Sequence, residues 1–305
     1  MKATVIKSTG SWYRVKSGEE YFEARLKGKF KLEDKRITNP IAVGDIVEVE
    51  QNPGTTDEWL ITKIEERNNY IIRKSPRKKH HDHLLATNID QAIMVATLKM
   101  PRTSLGFIDR FLVTLEAFRI PGVIFFNKTD LLSENDLVTI QAIMDQYDMI
   151  GYTCTKGSVL KQDLGKLEDV ISGKVSLLTG HSGSGKSSLI NHLIPEVNQK
   201  VSKVSDFANK GVHTTTFAEM FFLNSDTAII DTPGIKELGL AEIEPEELGH
   251  YFPEFRELLG DCKFHNCLHV EEPGCVIKEG LESGRIPVER YISYLSMLEN
   301  EDNRR

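Results

Sequence analysis

Gly180-His181-Ser182-Gly183-Ser184-Gly185-Lys186-Ser187 matches the pattern G-x-x-x-x-G-K-[ST] in full. It stands after the apolar run Val175-Ser176-Leu177-Leu178-Thr179 and before Ser188-Leu189-Ile190-Asn191-His192-Leu193, so the order predicted is strand, loop, helix. Glycines there let consecutive backbone N–H groups face phosphate oxygens, and the helix N-terminus adds partial positive charge. Lys186 would reach the outer phosphates and the Ser187 hydroxyl would ligate Mg²⁺, with Ser188 next to it on the first helical turn. A chance glycine-rich turn does not account for all three pieces in sequence.

A phosphate loop does not choose its base, and the residues that would choose lie upstream. Asn127-Lys128-Thr129-Asp130 follows the buried-looking run Val123-Ile124-Phe125-Phe126 and matches N-K-x-D. Asp130 would accept hydrogen bonds from guanine N1–H and the exocyclic amine, a pair adenine does not offer. Asn127 and Lys128 would brace the base and the phosphate loop. Asp231-Thr232-Pro233-Gly234 follows Thr227-Ala228-Ile229-Ile230, so Asp231 would hold a water on Mg²⁺ and the Gly234 N–H would meet the γ-phosphate. A switch-like stretch, His213-Thr214-Thr215-Thr216, supplies a metal-binding threonine; spacing does not choose among the three, and Thr215 is carried as the candidate. For the second base-side loop, Tyr152-Thr153-Cys154-Thr155-Lys156 is the best candidate.

The order of these motifs is unusual. A Ras-like chain runs phosphate loop, switch threonine, D-x-x-G, then N-K-x-D, whereas here the base motif at 127 precedes the phosphate loop at 180. Motifs meet in space rather than in sequence, so this is the pattern of a circularly permuted GTPase. The position after D-x-x-G, a water-orienting glutamine in Ras, is Ile235, which has no polar atom for that task. Slow intrinsic hydrolysis that a partner stimulates is therefore expected, with His213 as the candidate for positioning the water.

A second kind of chemistry sits near the C-terminus, where Cys262, Cys267 and Cys275 fall within fourteen residues together with His265 and His269. Three thiolates and one imidazole make a closed tetrahedral Zn²⁺ set, which would be structural, and spacing leaves the two histidines competing for the fourth place. Cys154 stands apart and reads as a buried loop residue.

The elements that must carry these residues divide 305 residues into several modules. Residues 1–70 show short period-two stretches separated by Gly, Asn and Pro, predicting an all-β barrel of the OB type that binds RNA. Alternation places every second aromatic inside, so none of Trp12, Tyr13, Tyr21 and Phe22 is nominated as an RNA contact. Residues 71–87, with Arg73, Lys74, Arg77, Lys78 and Lys79, read as an exposed basic linker. Buried-type strands alternating with helical spacing over 88–238 predict an α/β P-loop domain, and 239–305 a mainly α, metal-holding domain. Composition is ordinary for a globular chain at 40% hydrophobic and 27% charged, with no secretory leader or membrane-length apolar run, so a cytoplasmic location and no membrane association are expected. The net charge of −7 argues against nucleic-acid binding only as an average. Residues 1–80 hold 17 basic and 12 acidic side chains, a balance of +5, against 7 basic and 16 acidic, or −9, in 237–305.

A basic β-module, the motifs in this permuted order, Gly211-Val212-His213-Thr214-Thr215-Thr216, Asp231-Thr232-Pro233-Gly234-Ile235 and C-x₄-C-x-H-x₅-C at 262–275 together resemble the bacterial small-ribosomal-subunit-dependent GTPase family called RsgA, also YjeQ or YloQ. The resemblance spans essentially the whole chain. It implies an OB-fold, a permuted G domain and a zinc domain, with GTP hydrolysis stimulated by the small (30S) subunit and its rRNA during late maturation, in a protein expected to be monomeric. It also places His269 rather than His265 in the zinc set and a catalytic role on His213. Two other classes remain for comparison: a P-loop ATPase or kinase, disfavoured by Asn127–Asp130, and a GTP-controlled RNA-binding module with negligible turnover, favoured by Ile235.

Overall fold

The computed structural model describes residues 1–28, 40–52, 58–74, 82–195, 218–232 and 243–299. Alternating side chains fold the N-terminal stretch into β1 (Lys2–Ser8), β2 (Tyr13–Ser17), β3 (Glu20–Leu26), β4 (Ile46–Gln51) and β5 (Trp59–Ile64). They pair in the order β1-β2-β3-β5-β4, and β4 returns to β1, closing a five-stranded barrel. Val5, Val15, Ala24, Val47, Val49 and Ile61 are fully buried inside it.

Where the sequence suggests an exposed tether at 71–87, two strands form instead. β6 (Tyr70–Lys74) and β7 (Asp82–Thr87) make an antiparallel hairpin. Its Ile71 and Ala86 are fully buried in the core of the following domain. The base of the hairpin is fastened to the barrel: the Arg67 guanidinium bridges Asp45 at 2.7 Å, and the Thr87 hydroxyl donates to the same carboxylate at 2.8 Å. The density of Lys and Arg masks the short apolar pattern that the core selects.

The central domain is built on a parallel sheet. Its elements are β8 (Gln91–Ala96), α1 (Leu105–Phe118), β9 (Gly122–Phe126), α2 (Glu134–Ile150), β10 (Thr153–Lys156), α3 (Leu167–Ile171), β11 (Val175–Thr179), α4 (Lys186–Leu193), β12 (Glu219–Phe222) and β13 (Ala228–Asp231). The order β10-β9-β8-β11-β13-β12 is parallel except for β12. Every residue of β8 is buried, as a strand covered on both faces requires. The sheet continues through β12 onto β1, so the barrel and the central domain share one eleven-stranded ladder. Cys154, expected in a loop, lies half-buried on β10, where burial pushes its thiol well above the usual range.

The C-terminal part is mainly helical, with α5 (Pro253–Arg256), α6 (Val276–Glu282) and α7 (Val288–Leu298) around Leu248, Phe252, Phe255, Ile277 and Tyr294. It docks on α1, whose Val113 joins that core. At the junction lies Arg290, fully buried, bonded to Asp109 at 2.7 Å and to Glu254 at 2.6 Å. The Tyr147 hydroxyl donates to the same Asp109 carboxylate at 2.7 Å, and the guanidinium sits 4.6 Å from the Phe252 ring centre. Replacing Arg290 by Met leaves two buried carboxylates without their cation, so chemical denaturation is expected to show a loss of about 3–5 kcal/mol. An unchanged midpoint would mean that the pair contributes nothing. Among the described residues, no helix is long and apolar enough to cross a membrane.

Candidate functional site

Three turns converge at the carboxyl ends of the parallel strands, the edge where such sheets place ligands. After β11 the chain turns through residues 180–185 and enters α4 at Lys186. Gly185 has φ +105°, and a Cβ there would lie 2.2 Å from the Asn127 amide nitrogen. At Gly180, with φ +141°, a Cβ would meet the Val95 carbonyl oxygen at 2.4 Å. Glycine is thus demanded by both conformation and space. The Lys186 ammonium bends over the loop, donating to the Gly180 carbonyl at 2.5 Å and to that of His181 at 2.8 Å. His181 stacks on Phe107 of α1 with ring centres 4.1 Å apart. Ser182, Ser187 and Ser188 face solvent at the mouth, while Ser184 is fully buried.

The turn after β9 is tied to this loop. Buried Asn127 donates from Nδ2 to the Ser184 carbonyl at 2.8 Å and accepts at Oδ1 from the Val159 N–H at 3.1 Å. Lys128, in a left-handed conformation at φ 65°, donates to the carbonyls of Gly183 and Met100, each at 2.6 Å. Thr129 donates its N–H to the Gly157 carbonyl at 3.1 Å, and Asp130 accepts from the Ser158 hydroxyl. The turn that backs residues 127–130, where a second base-side loop is expected, is therefore 157–159. Residues 153–156, read from sequence within that loop, form strand β10 in parallel register with β9. A glycine and a serine directly after a short β-type run were the available signal, but one too common to select a turn.

On the other side of the phosphate loop, Asp231 ends β13 opposite Leu178 of β11. The Thr232 hydroxyl reaches the Leu178 carbonyl at 3.5 Å. His213, Thr215 and Gly234 lie outside the described residues.

A separate cluster gathers the C-terminal thiols. Ligand atoms of Cys262, Cys267, His269 and Cys275 all lie within 4.8 Å of one another, with His269 Nδ1 3.6 Å from the Cys262 sulfur and 3.4 Å from that of Cys275. Burial pushes the Cys267 thiol up to about 12 and raises Cys275 as well, while it lowers His269, keeping the imidazole neutral. Neutral imidazole is the metal-binding form, and packed thiols that resist ionisation alone gain a reason to ionise when a divalent cation sits between them. The donor set therefore suits a metal ion. Tyr291 and Tyr294 hold the loop by donating to the carbonyls of His269 and Leu268 at 2.7 and 2.8 Å. His265 is exposed and outside the cluster.

A family model described as RsgA GTPase matches residues 64–241, and one described as RsgA N-terminal domain matches residues 2–56. A Cytophaga hutchinsonii protein named small ribosomal subunit biogenesis GTPase RsgA is 51% identical over 307 residues, covering 100% of both chains. The chain belongs to the RsgA GTPase family. A protein of the same name from Christiangramia forsetii is 47% identical, covering 99% of this chain and 97% of its own. Among solved structures, YjeQ from Thermotoga maritima matches at TM-score 0.76 and 34% identity, covering 100% of this chain and 99% of its own. YloQ, described as a circularly permuted GTPase, matches at TM-score 0.74 and 31% identity, covering 100% and 96%. Permutation accounts for the strand order of this RsgA GTPase, in which the base-side strands β9 and β10 precede the phosphate-loop strand β11 in sequence and stand beyond β8 in space.

Proposed function

We propose that this chain hydrolyses GTP between the turn 127–130 and the loop 180–187, and does so on the small (30S) ribosomal subunit, whose late maturation it assists. The observation that carries this reading is the bracing of Asn127 and Lys128 onto the carbonyls of Ser184 and Gly183, which joins a guanine-reading turn rigidly to a phosphate loop. Asp130, oriented by the Ser158 hydroxyl, accepts from guanine N1–H and its exocyclic amine. Backbone N–H groups of residues 182–187 and the Lys186 ammonium bind the phosphates. Ser187, Asp231 and Thr215 are the residues that would hold Mg²⁺ directly or through water, and Gly234 would sense the γ-phosphate. Bound Mg²⁺ neutralises charge that builds on the phosphate oxygens during transfer. His213 positions the attacking water, the task Ile235 lacks the chemistry for.

The Cys262–Cys267–His269–Cys275 set takes one Zn²⁺, closed to solvent ligands and structural in role. Domain limits follow the chemistry: an RNA-binding barrel over 1–70, the hairpin, the permuted G domain over 88–238 and the zinc domain over 239–305. The protein is cytoplasmic and works as a monomer. Phosphate release measured with and without purified small subunits tests the reading. Release that is slow alone and strongly stimulated by subunits is expected, and His213→Ala should remove the stimulation while GTP affinity persists. Saturating subunits without any stimulation would leave only a GTP-controlled binding module, the reading Ile235 favours.

A further inference from the structure

Away from the nucleotide pocket, a cavity of about 280 Å³ opens onto the thiol cluster. Cys262, Cys267 and His269 line it together with His250, Phe264 and His265. It has room for several water-sized molecules, so the space continues well beyond the place a metal ion would take. The three sulfurs stand in different positions toward it. Cys262 and Cys267 are half-buried and face the cavity, whereas Cys275 does not line it and is buried in the apolar core with Phe255 and Ile277.

The two cavity-facing sulfurs are also neighbours. All ligand atoms of the cluster lie within 4.8 Å of one another, and the short turn between Cys262 and Cys267 is closed by the Cys267 N–H donating to the Phe264 carbonyl at 3.2 Å. Thiolates, not thiols, attack peroxides. Burial holds Cys154 as the thiol, while a bound divalent cation keeps cluster sulfurs as thiolates at neutral pH. Two reachable thiolates side by side are therefore specific to this corner of the molecule among the described residues.

We infer that Cys262 and Cys267 are an oxidation site for hydroperoxides, which enter by the cavity, join the two sulfurs as a disulfide and so release the metal. One sulfur attacks a peroxide oxygen, the O–O bond breaks, and hydroxide leaves with a sulfenic acid formed. The second thiolate then attacks that sulfur, forming the S–S bond and expelling a second hydroxide. The two sulfurs lose two electrons, the peroxide gains them, and solvent protons turn both hydroxides into water. His269 and Cys275 alone supply half of a tetrahedral set, too few ligands for a structural site. No cluster ligand lies on the parallel sheet, so the nucleotide pocket keeps its form. The inference rests on the proposed zinc reading of the cluster.

Full-length protein is assayed for bound zinc, then treated with hydrogen peroxide beside a metallochromic indicator, and its thiols are blocked and mapped by mass spectrometry. One equivalent of zinc should appear with a Cys262–Cys267 disulfide, and free thiols should fall from the four of the chain to two. Reduction with added zinc should restore both, and guanine-nucleotide affinity should not change. Phe264→Ala widens the cavity and keeps the backbone bond to Cys267, so release should quicken about threefold or more, as access governs such rates. Release at the parental rate in that variant overturns the route through the cavity. Oxidation that falls on Cys154 or Cys275 in place of the pair, or a loss of nucleotide affinity on oxidation, overturns the site. Zinc that is present but retained in excess peroxide removes this inference alone, whereas a protein that binds no zinc removes the zinc reading with it.

Discussion

Lys186→Ala is expected to lower kcat/KM for GTP by about 10²–10³-fold, the usual loss when one preorganised donor to developing charge is removed. The ammonium lies over the phosphate loop, against the carbonyls of Gly180 and His181, and is the side-chain cation the loop itself supplies. Its methylene stem is not what anchors the helix, because Leu189 and Ile190 carry the burial of α4. The fold should therefore survive, and thermal unfolding of the variant should match that of the parent. Lys186→Arg tests geometry rather than charge: a planar fork cannot replace a compact ammonium in a loop this tight, so little activity should return. Unchanged turnover in the alanine protein would remove Lys186 from the chemistry.

The second large effect concerns the thiol cluster. Cys275→Ser, or treatment with a strong chelator, is expected to release one equivalent of zinc and to unfold the C-terminal domain. In small metal domains the binding free energy, apparently about 10–16 kcal/mol at neutral pH, is folding free energy. Here the cluster closes the loop that Tyr291 and Tyr294 hold, and Cys275 is itself part of the apolar core. Limited proteolysis should cut within 243–299 only after metal loss. Guanine-nucleotide affinity should persist, since no cluster ligand lies on the parallel sheet. Resistance to proteolysis that chelation leaves unchanged would show that the core stands without metal.

Much of the pocket is legible in the chain because its chemistry is backbone chemistry. Gly180 and Gly185 are required where a Cβ would strike Val95 or Asn127, and a helix start follows at once, so a short pattern carries the whole device. Ser158 is not legible in the same way. Its hydroxyl reaches Asp130 across 28 positions of sequence, and a lone serine after a short strand carries no signal of that partner. Arg290 is harder still: arginine belongs on the surface by default, and only the meeting of α1, α5 and α7 provides the two carboxylates that let it be buried. The strand pair 70–74 and 82–87 is obscured in the sequence by its own charge, because burial of Ile71 and Ala86 depends on a core assembled from distant segments.

By itself, the sequence determined the motifs, their permuted order, the barrel's alternation and the three cysteine ligands, with His265 and His269 left competing for the fourth place, all properties set by residue type at short spacing. Tertiary structure alone decided which turn backs the base motif, how the zinc-type domain is locked to α1 and where Lys7 meets Glu219. Those contacts join residues 28, 181 and 212 positions apart, and each exists only because distant elements pack together, which no local pattern can supply.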